Sequence, residues 1–97
     1  MRNDNPLEKV IEEKVCIYAK EQGWLVYKFT SPSRMAVPDR LFIRNGQVFF
    51  CEFKRKGEVP TPAQEREHIR LRQQKIHVWV IDNIEEGKKM VDYYATS

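Results

Sequence analysis

The chain has 97 residues, 41% of them hydrophobic and 32% charged, with a net charge of +3. That is the make-up of one globular domain spanning residues 1–97, with a core modest enough that self-association is expected. No apolar run approaches the roughly 18 residues of a membrane span, so no membrane partner is expected, and mild basicity permits a nucleic-acid partner without requiring one.

Asn5-Pro6-Leu7-Glu8 reads as a helix start, with Asn5 as cap, Pro6 in the first helical position and Glu8 in the acid-favouring first turn. Leu7, Ile11, Val15 and Tyr18 recur at helical spacing as its core stripe, and Gly23 ends it. Glu12 borders the stripe and by itself reads as a solvated helix glutamate. Glu13 lies about 100° further round the helix, farther from the apolar border. The stretch from Trp24 to Thr30 is a strand, followed by a loop to Val37 containing Ser31, Ser33 and Arg34. These three either decorate a surface connection or offer donors to phosphates. Cys16 and Cys51 have no metal-binding or redox spacing, and His68 and His77 do not complete a zinc set. Both cysteines read as reduced core residues. With no leader peptide expected, this suggests an intracellular setting.

The stretch from Val37 to Lys54 reads as a β-hairpin, because two β-rich runs flank Asn45-Gly46, the dipeptide best suited to a two-residue type I′ turn. If Arg44 pairs with Gln47, Asp39 falls opposite Glu52, and Lys54 shares their face. Directly opposed residues have Cβ atoms about 4.5–5.5 Å apart, and like charges there destabilise a sheet. A divalent cation would compensate, and Mg2+ suits a site with few carboxylates and several waters. The competing reading is a solvated hairpin face. Leu41, Ile43, Val48 and Phe50 line one face and Phe42, Phe49, Cys51 and Phe53 the other, a pattern that expects cover on both sides.

Lys54, Arg55 and Lys56 then form a basic rim. Thr61-Pro62-Ala63-Gln64 opens a second helix, reaching about Gln74, with a capping box that accounts for Gln64 without function. His68 on this helix reads as a surface or nucleic-acid-facing histidine rather than a proton carrier. Ile76 to Ile81 is a strand. Asp82-Asn83 caps a last helix, about Ile84 to Ala95, whose Met90, Val91, Tyr93 and Tyr94 either close the core or form an interface. The order is αβββαβα, an α/β fold with a mixed central sheet flanked by helices.

Pro38-Asp39, a hairpin, then Glu52-Phe53-Lys54 resemble the PD-(D/E)XK nuclease signature. The wider set resembles the VRR-NUC branch: Glu12, Gly23, Lys28 to Pro32, Val37 to Arg40, Glu52 to Lys54 and Thr61 to Gln64. The likeness runs from about Leu7 to Ile81. Met35-Ala36 departs from the Arg-Gly that family members often carry before Pro-Asp. The resemblance implies a restriction-endonuclease-like fold and Mg2+-dependent hydrolysis of DNA, with Mn2+ as a substitute. It implies Asp39, Glu52 and the backbone carbonyl of Phe53 as metal ligands, and Glu12 as an extra acid acting directly or through water. Lys54 would orient the attacking water, and Gln64 would join the active-site set, although its capping role competes for the same side chain. Lys28, Ser31, Ser33, Arg34, Arg55 and Lys56 would contact phosphates.

No glycine loop for a nucleotide cofactor and no covalent nucleophile is found. So small a nuclease suits a phage, acting in the host cytoplasm. Minimal members of the family resemble homodimers that cut four-way (Holliday) junctions, whose symmetry a two-fold dimer matches. A flap-cutting or nonspecific nuclease, a non-catalytic nucleic-acid-binding module and a structural protein are the alternatives.

Overall fold

Element boundaries fall where local chemistry puts them. The computed structural model describes residues 7–94 and contains, among them, α1 (Glu8–Glu21), β1 (Leu25–Lys28), β2 (Arg40–Arg44), β3 (Gln47–Phe53), α2 (Pro62–Gln73), β4 (His77–Ile81) and α3 (Ile84–Asp92). Leu7 occupies the N-cap position of α1 without a side-chain cap, and the expected Asn5 cap and Pro6 lie outside the described residues. Gly23, at φ +94°, ends α1. Its N–H bonds the Lys20 carbonyl and that of Trp24 bonds the Ala19 carbonyl, both at 3.0 Å, which is a Schellman motif. Asn45 and Gly46, at φ 50° and 79°, make the type I′ turn.

The sheet order is β1-β2-β3-β4. The first three strands are antiparallel, and Arg44 pairs with Gln47 as expected. β4 runs parallel to β3, because the connection crosses through α2. α1 and α3 cover the face carrying Phe42, Phe49, Cys51 and Phe53. Phe42 and Tyr94 stack on Phe49 with centroids 4.6 Å apart, and Trp24 meets its edge at 5.1 Å. Burying each such ring contributes about 1.5–3 kcal/mol.

Two expectations about faces change, and one alternative the sequence leaves open is decided. The buried face of α1 is Ile11, Val15, Cys16 and Ala19. Leu7 is 49% exposed, and Tyr18 sits at the core margin, donating to Asp92 Oδ1 at 2.6 Å. The cause is α3, which packs closest where Gly87 meets Val15 and so centres the buried face there. The second hairpin face is only partly covered. Phe50 is buried, with the Phe29 ring 4.9 Å away, while Val48 is exposed and Leu41 and Ile43 are half-buried. Finally, Met90, Val91 and Tyr94 close the core while Tyr93 faces outward. No helix among the described residues is long and apolar enough to cross a membrane.

Candidate active site

The hairpin ladder ends at Arg40 opposite Cys51, so Asp39 lies one residue beyond it rather than in a paired position. Its side chain closes the end of the hairpin instead. Asp39 Oδ2 accepts from the Phe53 N–H at 2.8 Å, and its carbonyl accepts from Phe29 N–H at 2.9 Å. Burial raises the Asp39 carboxyl to about 6. The Phe53 N–H pulls it down, while Glu52, Glu12 and Glu8 push it further up.

Glu52 is 2% exposed, on the opposite strand face from the aromatic core. Its Oε2 accepts from Gln64 Nε2 at 3.1 Å and lies 4.0 Å from Lys54 Nζ. Gln64 caps its helix and contacts Glu52 at the same time. Its Oε1 accepts from Thr61 N–H at 2.9 Å and Thr61 Oγ1 accepts from Gln64 N–H at 3.1 Å, completing the capping box, while its other terminal atom holds Glu52. An amide carries a donor and an acceptor, so one side chain serves both roles.

His68 is not at the surface. It is 1% exposed, because α2 lays this side over the Glu52 end of β3, and its Nε2 faces Glu52 Oε1 at 3.7 Å. That separation is too long for a hydrogen bond, and neither atom has another partner among the described residues.

On α1, Glu12 Oε2 is paired with Arg40 Nε at 2.5 Å. Glu8, one turn earlier, had been read only as a first-turn acid. Burial raises its carboxyl, Lys54 lowers it, and Glu52 and Glu12 push it further up. The i, i+4 spacing of Glu8 and Glu12 was the available signal that both share one helix face. Glu13 is exposed.

A cleft of about 430 Å3 opens beside Asp39, lined by Glu8, Glu12, Lys28, Ser31 and Arg34 among others. Ser33 instead borders a neighbouring hollow of about 280 Å3 with Arg66 and Arg70. The Arg34 guanidinium is tied to Glu67 at 3.3 Å, which links the loop to α2. Arg55 and Lys56 are exposed on the loop after β3, and the Gly57 N–H donates to Asp82 Oδ2 at 3.0 Å, holding that loop to the start of α3. Cys16 and Cys51 are free and buried. Burial pushes the Cys16 thiol to about 11 and raises Cys51 well above its ordinary value, so both stay protonated.

The donor set can be tested against a divalent cation. Besides burial, Glu52, Glu12 and Glu8 raise the proton affinity of Asp39, and Glu52 Oε1 has no hydrogen-bond donor among the described residues. The group is short of positive charge, and a cation would supply it. Among the described residues no three His, Cys, Asp or Glu side chains gather as a ready cage. Two carboxylates and a carbonyl, completed by water or substrate oxygens, fit Mg2+ better than zinc.

No family model matches the chain. A protein of Acyrthosiphon pisum secondary endosymbiont phage 1, named "Putative nuclease p44", is 48% identical to it over 65 residues, which is 66% of this chain and 70% of that protein. A solved structure described as a VRR_NUC domain superposes with a TM-score of 0.82 at 28% identity, covering 90% of this chain and 96% of its own.

Proposed function

The chain belongs to the VRR-NUC nucleases, and on that premise we propose that it is a Mg2+-dependent endonuclease that cuts phosphodiester bonds in branched DNA as a homodimer. The observation that carries this reading is the meeting of buried Glu52 and partly buried Asp39 at one hairpin end, with Lys54 beside them. Asp39, Glu52 and the Phe53 carbonyl would hold the ion, and Glu12 would act through water, because its carboxylate is already engaged by Arg40. Mn2+ would substitute. When bound, the ion supplies Lewis-acid charge neutralisation for the strained phosphate and its leaving oxygen.

The chain's own groups do the rest. Lys54 orients the attacking water and steadies the charge that develops on the phosphate oxygens. Its ammonium lies 4.0 Å from Glu52 Oε2, beside the ion that Glu52 would hold, and orientation of the water is its role. Gln64 fixes the Glu52 carboxylate while anchoring its own helix. Lys28 and Ser31 border the cleft at Asp39, where they can meet the substrate backbone, and Arg55 and Lys56 extend the basic rim. Arg34 and Ser33 would contribute at the far side of the loop.

The dimer reading is supported by the apolar residues Leu25, Tyr27 and Val48. They alternate with core positions along neighbouring strands and stay exposed on the face that α2 leaves open. A second copy seated there would relate two active sites by one two-fold axis, matching the symmetry of a four-way junction. The buried free thiols and the phage relative suit action inside a host cell.

The test is cleavage of end-labelled four-way junction, flap, duplex and single-stranded DNA with Mg2+, Mn2+ or EDTA, beside Asp39→Ala. Paired symmetric cuts in the junction, lost in EDTA and in Asp39→Ala, are expected. Cutting of flaps or of every substrate would overturn the junction preference while keeping the chemistry. Binding without cutting would favour a non-catalytic nucleic-acid module.

A further inference from the structure

We propose that His68 is a positioning residue that, together with Gln64, aims the Glu52 carboxylate at the metal; this rests on the reading above that Glu52 is a metal ligand. His68 follows Gln64 by one turn of α2, so both side chains project from the same helix face toward β3. Gln64 Nε2 donates to Glu52 Oε2 at 3.1 Å, and His68 Nε2 stands 3.7 Å from Glu52 Oε1. The two donors thus address the two oxygens of one carboxylate from one rigid helix.

A histidine kept only to fill the core would be expected to have its ring nitrogen satisfied by a nearby carbonyl or hydroxyl. Here Nε2 is buried with no partner among the described residues, and the atom it faces, Glu52 Oε1, is buried and unpartnered too. Unpaired buried polar atoms are costly, and a shift of under about 1 Å would bring this pair into hydrogen-bonding distance. With the Nε2 proton donated to Oε1, the carboxylate cannot rotate about its last bond. Each oxygen accepts more than one contact, so both retain the capacity to meet a cation. Groups that orient a metal-binding side chain typically contribute 10- to 100-fold in metal affinity or activity.

The test titrates Mn2+ into the metal-free protein and reads free Mn2+ by electron paramagnetic resonance. Wild type, His68→Leu, His68→Gln and Glu52→Gln are compared, each checked for melting temperature and for DNA binding in EDTA. His68→Leu is expected to bind Mn2+ at least about 10-fold more weakly, with DNA binding in EDTA unchanged. His68→Gln, whose amide reaches the same place, is expected to recover most of that loss. In the Glu52→Gln background, His68→Leu is expected to have no further effect on Mn2+ affinity. Should His68→Leu fail to fold, His68→Asn replaces it, being polar but too short to reach Oε1, and the same loss is expected. Wild-type Mn2+ affinity in His68→Leu or His68→Asn overturns the positioning role while leaving the metal site intact. If wild type and Glu52→Gln bind Mn2+ equally weakly, the metal reading fails and takes the positioning role with it.

Discussion

Gln64 shows how a single side chain can cap its own helix and hold a buried carboxylate at once. Its carbonyl end completes the capping box and its amino end holds the buried Glu52. Asp39, Glu52 and Lys54 were legible as one group because a hairpin register follows from its turn alone. Their neighbours were not. His68 is buried because of where α2 lands on the sheet, a long-range outcome that an i, i+4 pattern on a charge-rich helix does not reveal. Glu8 had a complete local explanation as a first-turn acid, which hid its electrostatic coupling to Lys54 and Glu52.

Asp39 carries a pH signature. Its carboxyl titrates near 6 in the folded chain, against about 3.9 in an unfolded one. Between those values the folded state holds a proton that the unfolded state has released, so this group's stabilising contribution is full below about pH 4 and is lost as pH rises through 6. In EDTA, the melting temperature of Asp39→Asn is therefore expected to climb relative to wild type between pH 4 and 7. Added Mg2+ should restore the wild type at the upper end. A difference that stays constant with pH would show that Asp39 is not desolvated in solution.

At the scale of elements, local punctuation was the best guide. Asn45-Gly46, Gly23 and Thr61-Pro62 each placed a boundary within a few residues of where it falls, because a turn or a cap is decided by nearby backbone geometry. The end of α2 gave no such sign. Lys75 takes the left-handed position, φ 68°, that glycine usually fills, with its N–H on the Arg72 carbonyl and that of Ile76 on the Leu71 carbonyl. That conformation costs a non-glycine residue about 1–2 kcal/mol. The added freedom of glycine in the unfolded chain returns only about 0.4–1 kcal/mol. Lys75→Gly is thus expected to raise stability by about 0.5–1 kcal/mol, measured as a higher urea midpoint at unchanged slope.

The buried face of α1 was misplaced for a related reason. Sequence periodicity finds an apolar stripe, but the partner helix selects which part of it is covered. Here α3 approaches through Gly87, where a Cβ would run into the Val15 side chain and press on Ile81. Gly87→Ala would gain about 1 kcal/mol of helix propensity against about 1–3 kcal/mol of overpacking. A net loss of stability is expected in urea unfolding. An unchanged or higher midpoint would mean that the two helices are not in close contact there.

For the whole molecule, the seven-element order and the mixed sheet followed from the sequence because the elements are short and clearly bounded. β4 runs parallel to β3, as a helical crossover dictates. Which helix covers which face did not follow, since that depends on packing between segments far apart in the chain. The arrangement explains the site. α1 brings its acids over one side of the hairpin end, α2 brings Gln64 and His68 over the other, and the β2–β3 turn is left at the far end of the sheet.

The central claim is that the Glu52 carboxylate holds a metal needed for phosphodiester cleavage. It is tested most directly by comparing wild type with Glu52→Gln, near-isosteric and uncharged, in cleavage of end-labelled DNA with Mg2+ and with EDTA. Wild-type cutting that requires Mg2+ and falls by about 100-fold or more in Glu52→Gln, a loss of roughly 2.7 kcal/mol of transition-state stabilisation, is the expected result. Cutting that persists in EDTA, or that Glu52→Gln performs as well as wild type, would contradict the account.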